Sequence, residues 1–168
     1  LHTTSGRLLA EMAAVGVRPR DVDVVILTHL HGDHVGWCVS DRDGDRGPTF
    51  GHARYLAHEA DWNAFAARVD PSIAAYEYVH DMLRPLATEG QLDLVSSGGR
   101  TVTADVELVH CPGHTPGSMA VAIASAGAAG LLWGDAIAHP AQMDEPAWDY
   151  RFDVDMPQAR ASRRSLVE

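Results

Sequence analysis

The apolar run Val22, Val24, Val25, Ile26 and Leu27 stops at Thr28, and the chain then reads His29-Leu30-His31-Gly32-Asp33-His34. A nearly continuous β-branched run is the pattern of a strand buried on both faces. Just past its end, four side chains that can bind a metal fall within six residues. Imidazole and carboxylate together suit divalent cations. Neither a helix nor a strand turns such closely spaced side chains toward one point, whereas a loop at a strand end does. Gly32 gives that loop its backbone freedom.

Two later segments have the same character. Cys111-Pro112-Gly113-His114-Thr115-Pro116-Gly117-Ser118 sets one histidine in a loop stiffened by two prolines and freed by two glycines. It lies between two apparent strands, as a remote ligand held by a rigid frame would. Leu131-Leu132-Trp133-Gly134-Asp135 ends another apolar strand on a carboxylate, which is either an ordinary cap or a ligand able to bridge two metals.

The remaining chain supplies a frame for these loops. Leu8, Leu9, Met12 and Val15 predict a helix over 4–16, capped by Thr4 or Ser5, with Gly16 suited to its C-terminal stop. Residues 38–51 read as a polar surface loop, and the alternation of Asp41, Asp43 and Asp45 lacks the offsets of a calcium loop. A strand over 53–56 leads to helices over 59–69 and 72–87. Trp62, Phe65, Tyr76 and Tyr78 on these helices read as core packing or as a wall over a pocket. Short strands follow at 92–95, 101–103, 106–110, 118–124 and 130–134. Residues 135–156 read as irregular, and a last helix starts near Pro157. Strands and helices in this order predict an α/β layered sandwich.

Composition narrows the function classes. The formal net charge is −10, and all 13 basic residues are Arg. Such a surface disfavours nucleic acid as a partner. Arg160, Arg163 and Arg164 form a local basic cluster that reads as a solvated helix face. No apolar run reaches the ~18 residues of a membrane span. Cys38 and Cys111 form no CxxC pair and read as reduced thiols of a cytoplasmic protein, with a weak case for Cys111 near the metal. The Gly-x-Ser-x-Gly pattern of serine hydrolases is absent. The Arg-, Ala- and Gly-rich composition suggests a bacterial source.

These motifs, in this order, resemble the metallo-β-lactamase superfamily over most of the chain. The resemblance implies one partial metallo-β-lactamase-like domain over 1–168, an αβ/βα four-layer sandwich without its terminal strands. It implies that His29, His31 and His114 bind one metal ion, that Asp33 and His34 bind a second, and that Asp135 bridges both. Zinc is the expected metal, with manganese, iron and cobalt open. The family's additional histidine in a later loop has no counterpart here, and His139 does not match its position, reading instead as structural or supporting. Two such ions about 3.5–4 Å apart can hold a bridging hydroxide at neutral pH. Asp33 is the expected catalytic residue, positioning that hydroxide and passing a proton to the leaving group.

His31 stands where the redox di-iron branch has Glu, which argues for hydrolysis. Trp37, in His34-Val35-Gly36-Trp37, departs from the glyoxalase-type pattern and is a candidate for substrate binding. Gly134–Gln142, with Trp148, Phe152-Asp153 and Ala159-Arg160, resembles the branch of N-acyl-homoserine lactonases and methyl-parathion-hydrolase-like enzymes. The expectation is a hydrolase of a small-molecule lactone, ester or organophosphate, in a possible homodimer, with quorum quenching as the implied role. A glyoxalase II-type thioesterase, a β-lactamase and a truncated non-catalytic metal-binding domain are the alternatives.

Overall fold

The computed structural model describes residues 6–42, 45–66, 74–96 and 98–168. Among these residues, nine strands and five α-helical segments follow one another. They are α1 (Leu8–Ala14), β1 (Val24–Ile26), β2 (Val39–Arg42), β3 (Asp45–Pro48), β4 (Arg54–His58), α2 (Glu59–Asp61), α3 (Ala74–Thr88), β5 (Leu92–Val95), β6 (Arg100–Thr103), β7 (Val106–His110), β8 (Met119–Ser125), β9 (Ala128–Leu132), α4 (Ala141–Asp144) and α5 (Met156–Val167). A wide π-type turn over Trp62–Ala66 continues α2.

Two sheets carry the architecture. β1, β4 and β5 pair in parallel in the order β1-β4-β5, and β6 to β9 form an antiparallel meander. Side chains alternate across each strand, so each sheet has two apolar faces to cover. On one face of the parallel sheet, Tyr55 and Ala57 meet Val79, Leu83 and Leu86 of α3. On its other face, Leu56 and Val95 meet Leu108, Met119 and Val121 of the meander. The meander's far face sets Ala120 and Val109 against Leu166 of α5. Helix, sheet, sheet and helix thus stack as four layers of an α/β sandwich. Leu83 and Leu86 are fully buried, and each such side chain stabilises the fold by about 1.5–3 kcal/mol.

Several sequence expectations change here. β1 is an edge strand among the described residues: Val25 packs on the core beneath α3 and Ile26 on the core beneath the meander, so both faces are partly covered, while Val24 is exposed. β9 is an edge strand of the meander among the described residues, and its Leu132 is 60% exposed. Residues 38–51 are not a plain loop: β2 and β3 pair as an antiparallel hairpin. The Asp43-Gly44 dipeptide, a strong hairpin signal, lies outside the described residues. So do the cap candidates Thr4 and Ser5 and the stretch 67–73 between the expected helices. The 135–156 stretch contains a 3-10 turn at Gly134–Ala136 and the short α4. Gly16 ends α1 as expected, with φ +78°. Among the described residues no helix is long and apolar enough to cross a membrane.

Candidate metal centre

The expected ligands arise at the ends of three strands. β1 runs into the loop bearing His29, His31, Asp33 and His34; β7 runs into the loop bearing His114; β9 runs into the turn bearing Asp135. The backbone stitches the first two together, since Met119 N–H donates to the Thr28 carbonyl at 2.8 Å.

Five of the six side chains converge. The rings of His31, His34 and His114 stand 4.9, 3.9 and 4.8 Å from that of His29, centroid to centroid. His114 Nε2 lies 3.0 Å from His31 Nδ1. Asp135 Oδ2 lies 3.6 Å from both His34 Nε2 and His114 Nε2. One ligand atom each from His29, His31 and His114 fits within 4.8 Å, and the same holds for His29, His34 and Asp135. Asp33 is the outlier: its side chain is 82% exposed, and its Oδ2 reaches His34 Nε2 at 3.7 Å.

The electrostatics suit a cation. Burial pushes the His29 imidazole down to about 2, helped by His34, His114 and His31. Burial, followed by His114, also lowers His31. These rings are therefore neutral at neutral pH, the state a metal ligand requires. His29 Nε2 is buried with no hydrogen-bond partner among the described residues. A buried polar atom left alone is costly, and a metal ion is one way to satisfy it.

Several supporting residues were not legible in the sequence. Asp61, at the end of α2, is buried and bonds both ligand loops. It accepts from Leu30 N–H at 2.9 Å, from Thr115 Oγ1 at 2.8 Å and from Gly117 N–H at 2.5 Å. Burial raises its carboxyl, while those three donors pull it back. Gly117 is required here because a Cβ would stand 2.8 Å from Asp61. Asp153 accepts from His114 Nδ1 at 3.2 Å and pairs with Arg163 at 3.0 Å. Arg163 is fully buried, which corrects its reading as part of a solvated helix face.

The aromatic residues divide between the two earlier readings. Phe65 is buried, and Trp62, Tyr76 and Tyr78 pack against the same core. Phe65 also backs the centre, 5.7 Å from the His31 ring, and Tyr78 lies beside Gly32 and Gly36. Trp37 is half-buried next to Gly6. His139 is exposed and accepts from Ala141 N–H, a local turn contact. Cys38 and Cys111 are both buried, and burial pushes each thiol up to about 12.

The family model of the metallo-β-lactamase superfamily matches residues 1–168. The chain belongs to that superfamily. It is 31% identical over 113 residues to the N-acyl homoserine lactonase AiiB of Agrobacterium fabrum, covering 65% of this chain and 38% of that protein. Among solved structures it resembles a probable metal-dependent hydrolase from Staphylococcus aureus, with TM-score 0.81 and 22% identity, over 98% of this chain and 56% of that one. It also resembles AidC, a dizinc quorum-quenching lactonase solved with a product, with TM-score 0.80 and 20% identity, over 99% and 59% of the two chains. The chain thus spans well under two thirds of the length of these relatives.

Proposed function

We propose that this chain, as part of a metallo-β-lactamase-like domain, holds two divalent metal ions and hydrolyses a lactone or a related ester. The observation that carries the reading is the convergence of His29, His31, His34, His114 and Asp135 around a buried His29 Nε2 that has no hydrogen-bond partner among the described residues. The ligand sets would be His29, His31 and His114 for one ion, and Asp33 and His34 for the other, with Asp135 shared. Zinc is favoured because the donors are nitrogen and carboxylate oxygen. Bound divalent ions supply Lewis acidity and a nucleophile from water at neutral pH.

The residues of the chain do the rest. The His29 and His31 imidazoles, held neutral by burial, offer lone pairs without competing protons. Asp33, open to solvent beside His34, would take a proton from the attacking water and return it to the leaving oxygen. Trp37 gives an apolar surface for an acyl or aryl group. The lactonase relatives favour a lactone as the substrate class, and two buried free thiols suit a reducing, cytoplasmic setting.

The test is a substrate panel on the zinc-loaded protein: an N-acyl homoserine lactone, an aryl ester, a phosphotriester, S-lactoylglutathione and nitrocefin. Lactone or ester turnover that a chelator abolishes and zinc restores is the expected result. Metal-replete protein inert toward the first three substrates would overturn the assignment. Turnover of the last two alone would redirect it to a thioesterase or β-lactamase.

A further inference from the structure

We propose that Asp153 and Arg163 are positioning residues: their buried ion pair orients His114 and anchors the turn that carries Asp135. The inference rests on the metal reading of the site and adds residues that the ligand motifs do not contain.

Arg163 lies in α5, yet its side chain is 0% exposed. Its guanidinium is spread over four acceptors from separate stretches of chain. Nε donates to the Pro146 carbonyl at 3.1 Å, Nη2 to the Trp148 carbonyl at 3.0 Å, and Nη1 to the Ala136 carbonyl at 3.3 Å and to Asp153 Oδ2 at 3.0 Å. A buried ion pair is weak support for stability, because desolvating two charges offsets their attraction. Its value here lies in what it holds. The fixed planar fork of Arg suits several simultaneous acceptors in a way that Lys does not.

Two ligands sit at the ends of this network. Ala136 follows Asp135 directly, so the bond to its carbonyl anchors the turn bearing that carboxylate. Asp153, itself 0% exposed, turns its other oxygen to His114 Nδ1 at 3.2 Å. A carboxylate oxygen accepts hydrogen bonds, so this contact selects the His114 tautomer whose Nδ1–H donates to it. Nε2 then presents a lone pair toward His31 and Asp135, 3.0 and 3.6 Å away. The neighbouring backbone reinforces the arrangement: Val154 N–H donates to the His114 carbonyl at 3.2 Å, and Asp155 N–H to the Gly113 carbonyl at 2.9 Å. A carboxylate behind a metal-binding imidazole fixes its tautomer and raises its basicity.

The test uses the chain labelled with nitrogen-15 at histidine, with zinc affinity measured by competition against a chromophoric chelator. In the wild type, His114 Nδ1 is expected to carry the proton with and without zinc. Asp153→Asn should mix or reverse the His114 tautomer and weaken zinc binding by about 10–100-fold. Arg163→Lys should move both readouts in the same direction by a smaller factor. Arg160→Lys, in the surface pair with Asp149, should move neither. A merely structural role would lower the melting temperature while leaving the tautomer and the zinc affinity unchanged well below it, and that result overturns the proposal. So does a wild-type His114 protonated at Nε2, a measurement that stands even where a variant does not fold. A wild type that takes up no zinc overturns the metal reading and with it the proposed purpose of the pair; the nitrogen signal separately decides the orientation of His114.

Discussion

Among the described residues, two groups of histidines form around a buried imidazole, and one of them has the form of a metal centre. His29 and His58 are each 2% exposed, and each has an Nε2 with no hydrogen-bond partner among the described residues. Burial lowers both, His29 to about 2 and His58 to about 4. They differ in their neighbours. His58 lies flat on His110, with rings 4.1 Å apart and 11° from parallel, and His110 Nε2 is engaged by the Pro116 carbonyl. His29 meets His31 and His114 nearly at right angles, with Asp135 within reach. An orphaned imidazole nitrogen therefore does not define a site alone. Perpendicular rings let several lone pairs meet at one point, whereas stacked rings direct theirs apart.

That contrast can be broken most directly by removing ligands. His114→Ala and Asp135→Ala should each lower bound zinc and cut hydrolysis by at least about 100-fold. His58→Asn and His110→Asn should leave the zinc content, read by elemental analysis, where it was. Equal zinc loss in both groups would erase the distinction.

The next effect concerns the support between the two loops. Asp61→Ala would strand the Leu30 and Gly117 N–H groups and leave the Thr115 hydroxyl only its contact with Ser118, and should cost about 2–5 kcal/mol of stability in urea unfolding. Gly117→Ala, which forces a Cβ onto Asp61, should cost about 1–3 kcal/mol. Unchanged urea midpoints would show that Asp61 joins nothing of consequence.

The smallest effect is one of pH. An unfolded imidazole titrates near 6.5, while folded His58 titrates near 4 because of burial and His110. The unfolded state thus binds more protons between these values. Stability present above about 6.5 is lost as pH falls toward 4. In metal-free protein the urea midpoint should drop across that window, and His58→Asn should flatten part of the slope. A wild-type midpoint level from pH 7 to 4 would contradict the burial of His58.

The grouping of the candidate ligands was more legible in the sequence than the scaffold that holds them. That His29, His31, His34, His114 and Asp135 come together was readable because strand-end loops concentrate such side chains at positions that local pattern reveals. β5 and β7 matched the expected bounds residue for residue, since short apolar runs between turns define them. The edge position of β1 was not readable, because a hydrophobic run does not say which neighbour pairs with it. Asp61 and Asp153 were missed because each acts across more than thirty residues, on a loop far from it in sequence. Arg163 was misplaced because three arginines in five residues look solvated until the acceptors of one are known.

The contacts of Asp61 carry a lesson for protein engineering. A designer who transplants the histidine-rich segment into a new scaffold would copy the candidate ligands and omit the residue that sets the spacing between the two loops that carry them. Such a graft would present the correct donors with a variable gap between them. The smallest portable unit of this centre includes an aspartate that coordinates nothing.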